Sequence, residues 1–269
     1  MAREAVALLL APLILAATVL APPWAFLLVV GAAVTVAGWE LLTMAAAAGH
    51  PVLRWPGVVA LAAVLGAAWG WGVAGLAVAV TAAAVVLPAA QLGHPATPRG
   101  SLAGAAVTLY VAVALGATGA ALGWLRTVPR PEVGFRLVLF HLLVIWVGDS
   151  GAYYVGRRLG RRPMAPAVSP RKTMEGLAGG IAATFVAAAA ARTVLLPQLG
   201  WGHAMALAAI LAVAAPLGDL VESQLKRDTG VKDSSSLLPG HGGLLDRTDS
   251  LLFAAPPVLA YVMLTGCLS

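Results

Sequence analysis

Acidic side chains gather between residues 216 and 250, a polar segment that joins two strongly apolar stretches. Asp219 lies inside the first stretch, where an ionised carboxylate is costly unless it is paired or coordinated. Asp246 and Asp249 are three residues apart and share a face if the next helix has already begun. Carboxylates that meet at a membrane boundary suit Mg²⁺, which takes one or two carboxylates and completes its shell with phosphate and water. The segment therefore predicts a metal site.

Cations alternate with these carboxylates. They are Lys226, Arg227, Lys232 and Arg247. A metal neutralises a polyphosphate, and Lys or Arg side chains hold the oxygens that gain charge in the transition state. The turn from Pro239 to Gly243 adds backbone N–H groups that could cradle an anion. The combination predicts a phosphate-binding site.

A second polar segment, 148–176, has the same character. Asp149 lies in an apolar stretch, and four arginines follow it between 157 and 162. The side chains at the entrance to the next apolar stretch are Ser169, Lys172, Thr173 and Glu175. Hydroxyls and cations before a helix N-terminus form an anion-binding arrangement. An arginine cluster at a membrane boundary could equally attract anionic lipid or set the topology.

Membrane helices must position these residues. Hydrophobic residues make up 60% of the 269 and charged residues 10%, against roughly 45–50% and about 25% in soluble domains. A soluble protein of this size could not bury so much apolar surface, and a disordered chain would not contain it. The apolar runs, mostly about 17–24 residues long, match spanning helices rather than the ~10-residue strands of a barrel. The sequence therefore predicts an all-α, polytopic membrane bundle.

Nine spans are predicted, and the short third span leaves open whether 57–90 is a hairpin or one helix plus a re-entrant piece. The spans lie at about 5–20, 24–47, 57–69, 71–90, 101–125, 135–157, 176–196, 201–222 and 250–268. With the N-terminus inside, thirteen of the seventeen Lys and Arg residues fall on the inner side. The positive-inside rule therefore favours a cytoplasmic N-terminus and two cytoplasmic polar segments. The net charge of +6 has this membrane explanation and does not indicate a nucleic-acid partner.

The charge distribution also predicts that the N-terminal and C-terminal parts of the chain have different functions. Eight of the eleven acidic residues fall between 149 and 249. Residues 1–130 are therefore predicted to be a hydrophobic transmembrane scaffold. Residues 131–269 are predicted to be the catalytic region, with cytoplasmic loops at 157–175 and 223–249.

The polar motifs resemble those of the phosphatidate cytidylyltransferase family, the CDP-diacylglycerol synthases. The downstream motifs are Ser223-x-Leu225-Lys226-Arg227, Lys232-Asp233, Pro239-Gly240-His241-Gly242-Gly243 and Asp246-Arg247-Thr248-Asp249. The upstream motifs are Gly148-Asp149-Ser150, Ser169-Pro170-x-Lys172-Thr173-x-Glu175-Gly176 and Gly218-Asp219-x-x-Glu222-Ser223. The N-terminal residues 1–130 resemble that family only as a hydrophobic multi-span region.

The resemblance implies a reaction in which CTP and phosphatidate give CDP-diacylglycerol and pyrophosphate, with Mg²⁺ and a second cation such as K⁺. It implies metal-binding carboxylates at Asp219 and Asp246, with Asp249 and Asp149 as further candidates. It implies catalytic roles for Asp219, Asp246, Lys226 and Arg227. The implied substrate-binding residues are Ser169, Lys172, Thr173, Glu175, Ser223, Lys232, Asp233, His241, Gly242 and Arg247. It also implies a homodimer in the plasma (inner) membrane, with the active site on the cytoplasmic side.

Other interpretations stay open at this point. Asp219 and Asp246 could form structural ion pairs with Lys226 or Arg247, and the cations could serve only as topology signals. A related CTP-using enzyme that acts on another lipid, such as an ether-lipid cytidylyltransferase or a polyprenol kinase, would need a similar fold and metal. A transporter or channel is disfavoured, because the charge lies at one interface of one half and no internal repeat is visible.

Overall fold

The structure is a computed structural model that describes residues 18–93, 100–128, 130–235, 237 and 242–268. Its α-helices are α1 (Pro23–Ala47), α2 (Arg54–Ala90), α3 (Ser101–Tyr110), α4 (Gly116–Thr127), α5 (Pro131–Leu159), α6 (Met174–Leu195), α7 (Trp201–Asp228) and α8 (Leu245–Thr265). A 3-10 turn, Gln91–Gly93, follows α2. A π-helical turn, Val111–Leu115, joins α3 to α4 in one continuous helical stretch.

Seven helical stretches of the described residues are long and apolar enough to cross a membrane. The prediction of an all-α polytopic membrane protein is thereby confirmed. Helices form here because in lipid each segment must satisfy its own backbone hydrogen bonds. The first predicted span, 5–20, lies almost wholly outside the described residues. The count of nine spans and the cytoplasmic N-terminus therefore stay predictions.

Helix α2 doubles back on itself at Gly72. This glycine has φ 64° and ψ −148°, a backbone conformation that only glycine adopts readily. Just beyond the C-terminal end of α2, Gln91 Nε2 donates a hydrogen bond of 2.7 Å to Pro51 O, which lies before the helix begins. A straight helix of 37 residues would hold its ends about 55 Å apart. Of the two interpretations of 57–90, the structure shows the hairpin.

The chain divides into two compact units, and the first combines an N-terminal and a C-terminal part of the sequence. Its described residues come from 24–123 and 225–248. Trp69 Nε1 donates to Ala120 O at 3.3 Å and thereby links α2 to α4. Leu53 N donates to Thr108 Oγ1 at 3.0 Å and fixes the start of α2 against α3.

The second unit contains 124–224 and 249–268, with 18–23. Helices α5 and α6 pack closely through small residues, and a Cβ on Gly180 would lie 3.2 Å from Gly148 O. His141 Nε2 donates to Leu251 O at 3.0 Å and links α5 to α8. These two units do not coincide with the division predicted at residue 130. That division separates a scaffold from a catalytic region, and it stays a prediction.

A short β-hairpin occupies the loop between α5 and α6, where the sequence predicted no strand. Strand β1 (Pro163–Ala165) pairs antiparallel with β2 (Ser169–Thr173), with Pro163 opposite Thr173 and Ala165 opposite Ser169. Strand β2 leads directly into α6. The hairpin therefore fixes the path by which Lys172 approaches the helices.

Candidate active site

Three acidic side chains of the second unit converge, two from α7 and one from α8. Asp219, Glu222 and Asp249 each offer one carboxylate oxygen, and these oxygens all lie within 4.8 Å of one another. Glu222 is only 5% exposed, and a hydrogen bond joins it to Asp249. Partly buried carboxylates at such distances need a cation or a shared proton to offset their repulsion. The oxygen-only set suits a hard divalent cation.

Gly218 explains why the two helices come so close at this point. A Cβ on Gly218 would lie 2.9 Å from Asp249 O and would also meet the Phe253 ring. Real Cβ atoms do not tolerate such distances, so only glycine permits this approach of α7 to α8. Asp219 and Glu222 are three residues apart and share a face of α7. Helix spacing and close packing together produce the cluster.

Two more charged residues stand beside the three carboxylates. Lys172 Nζ, from β2, forms an ion pair with Asp219 Oδ2. Asp149, from α5, lies close enough to Asp219 and Lys172 to interact with both electrostatically. Ser223 Oγ donates to Asp219 Oδ1 at 3.3 Å.

We call Asp149, Asp219, Glu222 and Asp249 the acidic cluster. The cluster holds more carboxylates than Lys172 can neutralise, so a cation or a shared proton would offset the excess charge. Two predicted metal candidates, Asp219 and Asp249, are brought within 4.8 Å with Glu222, and the third, Asp149, interacts with Asp219 electrostatically. Glu222 was quoted in the sequence motif but was not predicted as a ligand, although its position one turn after Asp219 was a usable signal.

Asp246 takes part in a separate hydrogen-bond network, in the first unit. Its Oδ1 lies 2.5 Å from Lys226 Nζ. Its Oδ2 accepts hydrogen bonds from Ser234 N at 2.9 Å, Ser234 Oγ at 2.8 Å and Gly243 N at 2.7 Å. These contacts bind the start of α8 to the loop that follows α7. The ion pair with Lys226 is the alternative that the sequence left open, and the metal role of Asp246 stays a prediction.

Glu40 of α1 joins this network, although the sequence analysis did not select it. Glu40 is 5% exposed, and its carboxylate accepts hydrogen bonds from the hydroxyls of Ser234 and Ser235. It also accepts from the backbone N–H groups of Leu244 and Leu245. The available signal was a lone acidic residue inside an apolar span, which by itself indicates a buried partner or a functional role.

Thr173 and Glu175 organise the start of α6. Thr173 is the N-cap residue, and its Oγ1 accepts a hydrogen bond of 3.1 Å from Gly176 N. Glu175 Oε2 accepts from Arg161 N at 2.9 Å and from Arg162 N at 3.1 Å. Both side chains therefore hold the loop that carries Lys172. Their predicted contacts with substrate stay predictions.

The remaining predicted residues lie on the loops and at the helix ends. Ser169 begins β2, and Arg227 Nη1 donates to Val231 O at 3.1 Å. Lys232, Asp233 and Arg247 are exposed. Gly242 has a φ of 75°, and a Cβ there would meet the Asp246 carboxylate. His241 lies outside the described residues.

Residues 1–265 match the sequence profile of the Cytidylyltransferase family. The chain belongs to this family. The predicted resemblance is thereby confirmed, and the predicted enzyme class, a nucleotidyltransferase, agrees with the family. The chemistry of a cytidylyltransferase and the acidic cluster both suit a divalent cation.

Three curated relatives of this cytidylyltransferase-family chain are named phosphatidate cytidylyltransferase. The protein from Bacillus subtilis is 46% identical over 125 residues, which cover 46% of each chain. The protein from Haemophilus influenzae is 44% identical over 131 residues, which cover 47% of this chain and 45% of the relative. The protein from Mycobacterium tuberculosis is 42% identical over 135 residues, which cover 50% and 40%. The chain thus spans about half the length of the curated relatives it matches.

Proposed function

We propose that this protein transfers CMP from CTP to phosphatidate, giving CDP-diacylglycerol and pyrophosphate, with Mg²⁺ bound at the acidic cluster. The observation that carries the proposal is the convergence of Asp219, Glu222 and Asp249 beside Lys172 in a membrane protein of the cytidylyltransferase family. We infer the lipid substrate, phosphatidate, from the names of the curated relatives. The polar loops belong to the side predicted to be cytoplasmic, which is where CTP is available, and the plasma (inner) membrane supplies the lipid.

The proposed reaction needs positioning and charge stabilisation more than proton transfer. A phosphate oxygen of phosphatidate forms a bond to the α-phosphorus of CTP. The bond between that phosphorus and the oxygen leading to the β-phosphate breaks, and pyrophosphate leaves with the electron pair. The attacking phosphate is already an anion, so the site must chiefly bring two anions together and stabilise the leaving group.

The chain's own residues divide these tasks. Asp219, Glu222 and Asp249 would hold the divalent ion, and Asp149 is the candidate ligand for a second cation such as K⁺. When bound, the ion neutralises phosphate charge. Lys172 supplies a positive charge beside the cluster, and Ser223 holds Asp219 in orientation.

Asp246 and Lys226 are proposed to act as a preformed pair. Since Asp246 already accepts hydrogen bonds at both oxygens, a metal there would share Oδ1 with Lys226 or displace Lys226 toward a phosphate. Lys226 is 9% exposed, so its charge is held in a shielded environment where it acts strongly on a nearby anion.

Pyrophosphate release by the purified protein tests the proposal. We expect release to require CTP, Mg²⁺ and phosphatidate together, and to collapse in Asp249→Asn and Asp246→Asn. Asp228→Asn, at the exposed end of α7, is the matched control and should retain activity. Release that survives in both active-site variants would refute the residue assignment but not the reaction. We also propose a homodimer, as the family resemblance implies, and the mass of the detergent-solubilised protein tests it.

The related CTP-using enzymes are distinguished in the same assay. CTP labelled in its γ-phosphate would leave label in pyrophosphate for a cytidylyltransferase and in the lipid for a kinase. Replacing phosphatidate by an ether-linked phosphatidate analogue or by a polyprenol shows which of these lipids the enzyme uses as the acceptor. Absence of turnover with phosphatidate in folded protein would overturn the proposed substrate.

A further inference from the structure

Glu40 is a buried carboxylate in the middle of a helix that otherwise carries no charge. Both of its oxygens are engaged by residues of the distant C-terminal part of the chain. Oε1 accepts from Ser235 Oγ at 2.6 Å and from Leu244 N at 3.1 Å. Oε2 accepts from Leu245 N at 2.8 Å and from Ser234 Oγ at 3.1 Å. We call Glu40, Ser234, Ser235, Leu244 and Leu245 the Glu40 clamp.

The clamp is specific for a carboxylate. A buried charge is costly unless hydrogen bonds replace its lost hydration, and two backbone N–H groups and two serine hydroxyls surround Glu40 here. A glutamine would offer one acceptor oxygen, and its NH₂ group would face one of the two backbone N–H groups, which cannot accept a hydrogen bond. A hydrophobic residue would leave the two backbone N–H groups without this partner. The two backbone N–H groups reach different oxygens of Glu40, so the clamp needs two accepting oxygens, which a carboxylate supplies.

Two of the donors lie at the start of α8: Leu245 N is the first N–H of the helix, and Leu244 N directly precedes it. The N–H groups at a helix start have no partner within the helix, and a negative charge there is favourable. Glu40 accepts from Leu244 N and Leu245 N and so caps α8 from a different helix. Because Asp246 directly follows Leu245, this cap fixes the position of the Asp246 backbone.

Ser234 connects the clamp to Asp246. Its Oγ lies 3.1 Å from Glu40 Oε2 and 2.8 Å from Asp246 Oδ2. A hydroxyl has a single proton, so it donates to one of these carboxylates at a time. Ser234 N donates to Asp246 Oδ2 as well, at 2.9 Å. The position of Ser234 therefore depends on Glu40 and in turn defines the orientation of Asp246.

We propose that Glu40 is a positioning residue for the Asp246–Lys226 pair. It acts through Ser234 and through the first turn of α8, and it makes a helix of the N-terminal region part of the active-site framework. This inference rests on the proposed function insofar as it concerns turnover. The contacts of the clamp themselves do not depend on it.

The test uses Glu40→Gln in the whole 269-residue chain, with two measurements. The first is kcat and KM for CTP in the pyrophosphate assay. We expect kcat to fall about 10- to 100-fold, as for loss of a residue that orients a reacting group, with a smaller change in KM. The second is amide hydrogen exchange in peptides covering 242–250, which should become at least about tenfold faster because the α8 cap is lost.

Thr108→Val is the matched control. Thr108 is also buried in the first unit and also links two segments, through Leu53 N and Gly104 O. In the part of the chain that the structure describes, the hydrogen bonds of Thr108 do not reach the Glu40 clamp. We expect this variant to lower thermal stability but to leave kcat and exchange at 242–250 unchanged, so a general loss of packing is separated from a loss of positioning.

The outcomes are distinguishable. Unchanged exchange at 242–250 in Glu40→Gln would overturn the clamp, and faster exchange with unchanged kcat would overturn its positioning role. If the wild-type protein shows no turnover, the proposed function fails while the exchange experiment still decides the clamp. If Glu40→Gln does not fold, Ser235→Ala removes one donor only, and unchanged exchange at 242–250 in that variant would overturn the inference.

Discussion

Lys172 and Asp219 form an ion pair that joins the β-hairpin loop to helix α7. Their side chains are 28% and 38% exposed, yet Lys172 Nζ itself is enclosed. A shielded charge interacts more strongly with its neighbours than one in water. The pair therefore places a strong positive charge at the edge of the acidic cluster, where a phosphate anion would approach a bound cation.

Replacing Lys172 by methionine should reduce kcat/KM for CTP by about 100-fold, since loss of one preorganised charge that stabilises a phosphate oxygen has effects of this order. Arg171→Met is the control, because Arg171 is the exposed neighbour on the same strand. Steady-state pyrophosphate release measures both variants. Equal losses in the two would show that general loop charge matters rather than the position of Lys172.

The metal assignment predicts a changed Mg²⁺ requirement in Glu222→Gln. Glu222 keeps its size in this variant but loses one charged ligand, so the Mg²⁺ concentration for half-maximal activity should rise about 10- to 100-fold. The measurement is a Mg²⁺ titration of activity after treatment with a chelator, which should abolish activity reversibly. Asp228→Asn should titrate like the wild type. An unaltered Mg²⁺ dependence of Glu222→Gln would remove Glu222 from the metal site.

Close packing at Gly218 predicts that Gly218→Ala impairs activity. In most helices this change is stabilising by roughly 0.5–1 kcal/mol, because glycine has more backbone freedom to lose. Here the added methyl group would press on Asp249 O and Phe253 and move the proposed metal ligands Asp219 and Asp249 apart. We expect activity to fall at least about tenfold, since small misplacements at a reacting site cost this much or more.

Gly66→Ala is the control for that experiment. Gly66 lies inside α2, and a Cβ there would meet no atom within 4 Å. This variant should be at least as stable as the wild type in a thermal melt and fully active. Full activity of Gly218→Ala would show that the helix distance at this point does not limit turnover.

The N-cap of α6 predicts a stability change at Thr173. Thr173→Ala removes the acceptor for Gly176 N and should lower the free energy of unfolding by about 1 kcal/mol. Thr173→Ser keeps the hydroxyl and should behave nearly as the wild type. Thermal melts in detergent compare the two. A direct substrate contact of Thr173 would instead appear as a raised KM without a change in melting temperature.

Local pattern was enough to predict most of the helices. The predicted spans 24–47, 101–125 and 176–196 agree with α1, α3–α4 and α6 to within a few residues. The reason is that the length and composition of an apolar run directly determine whether it can cross a bilayer. The hairpin in α2 was left open, because its turn depends on the backbone conformation of one glycine, Gly72, among many glycines in the chain.

The sequence predicted only some of the residues that meet in the candidate active site. Asp219 was chosen because a carboxylate inside an apolar run is costly unless it is paired or coordinated, and Asp249 because it lies three residues from Asp246 on the same helix face. Glu40 was passed over because its four donors come from residues about 200 positions further along the chain.

The sequence by itself determined the membrane class of the protein, its family and the segments that hold its charged residues, because these follow from composition, run length and motif spacing. Only the tertiary structure decided which charges meet. Asp246 and Asp249 are three residues apart, yet Asp249 joins Asp219 and Glu222 while Asp246 joins Lys226 and Ser234. The partners of a buried carboxylate depend on how closely helices pack and on which distant donors reach it. The local sequence pattern determines neither of these.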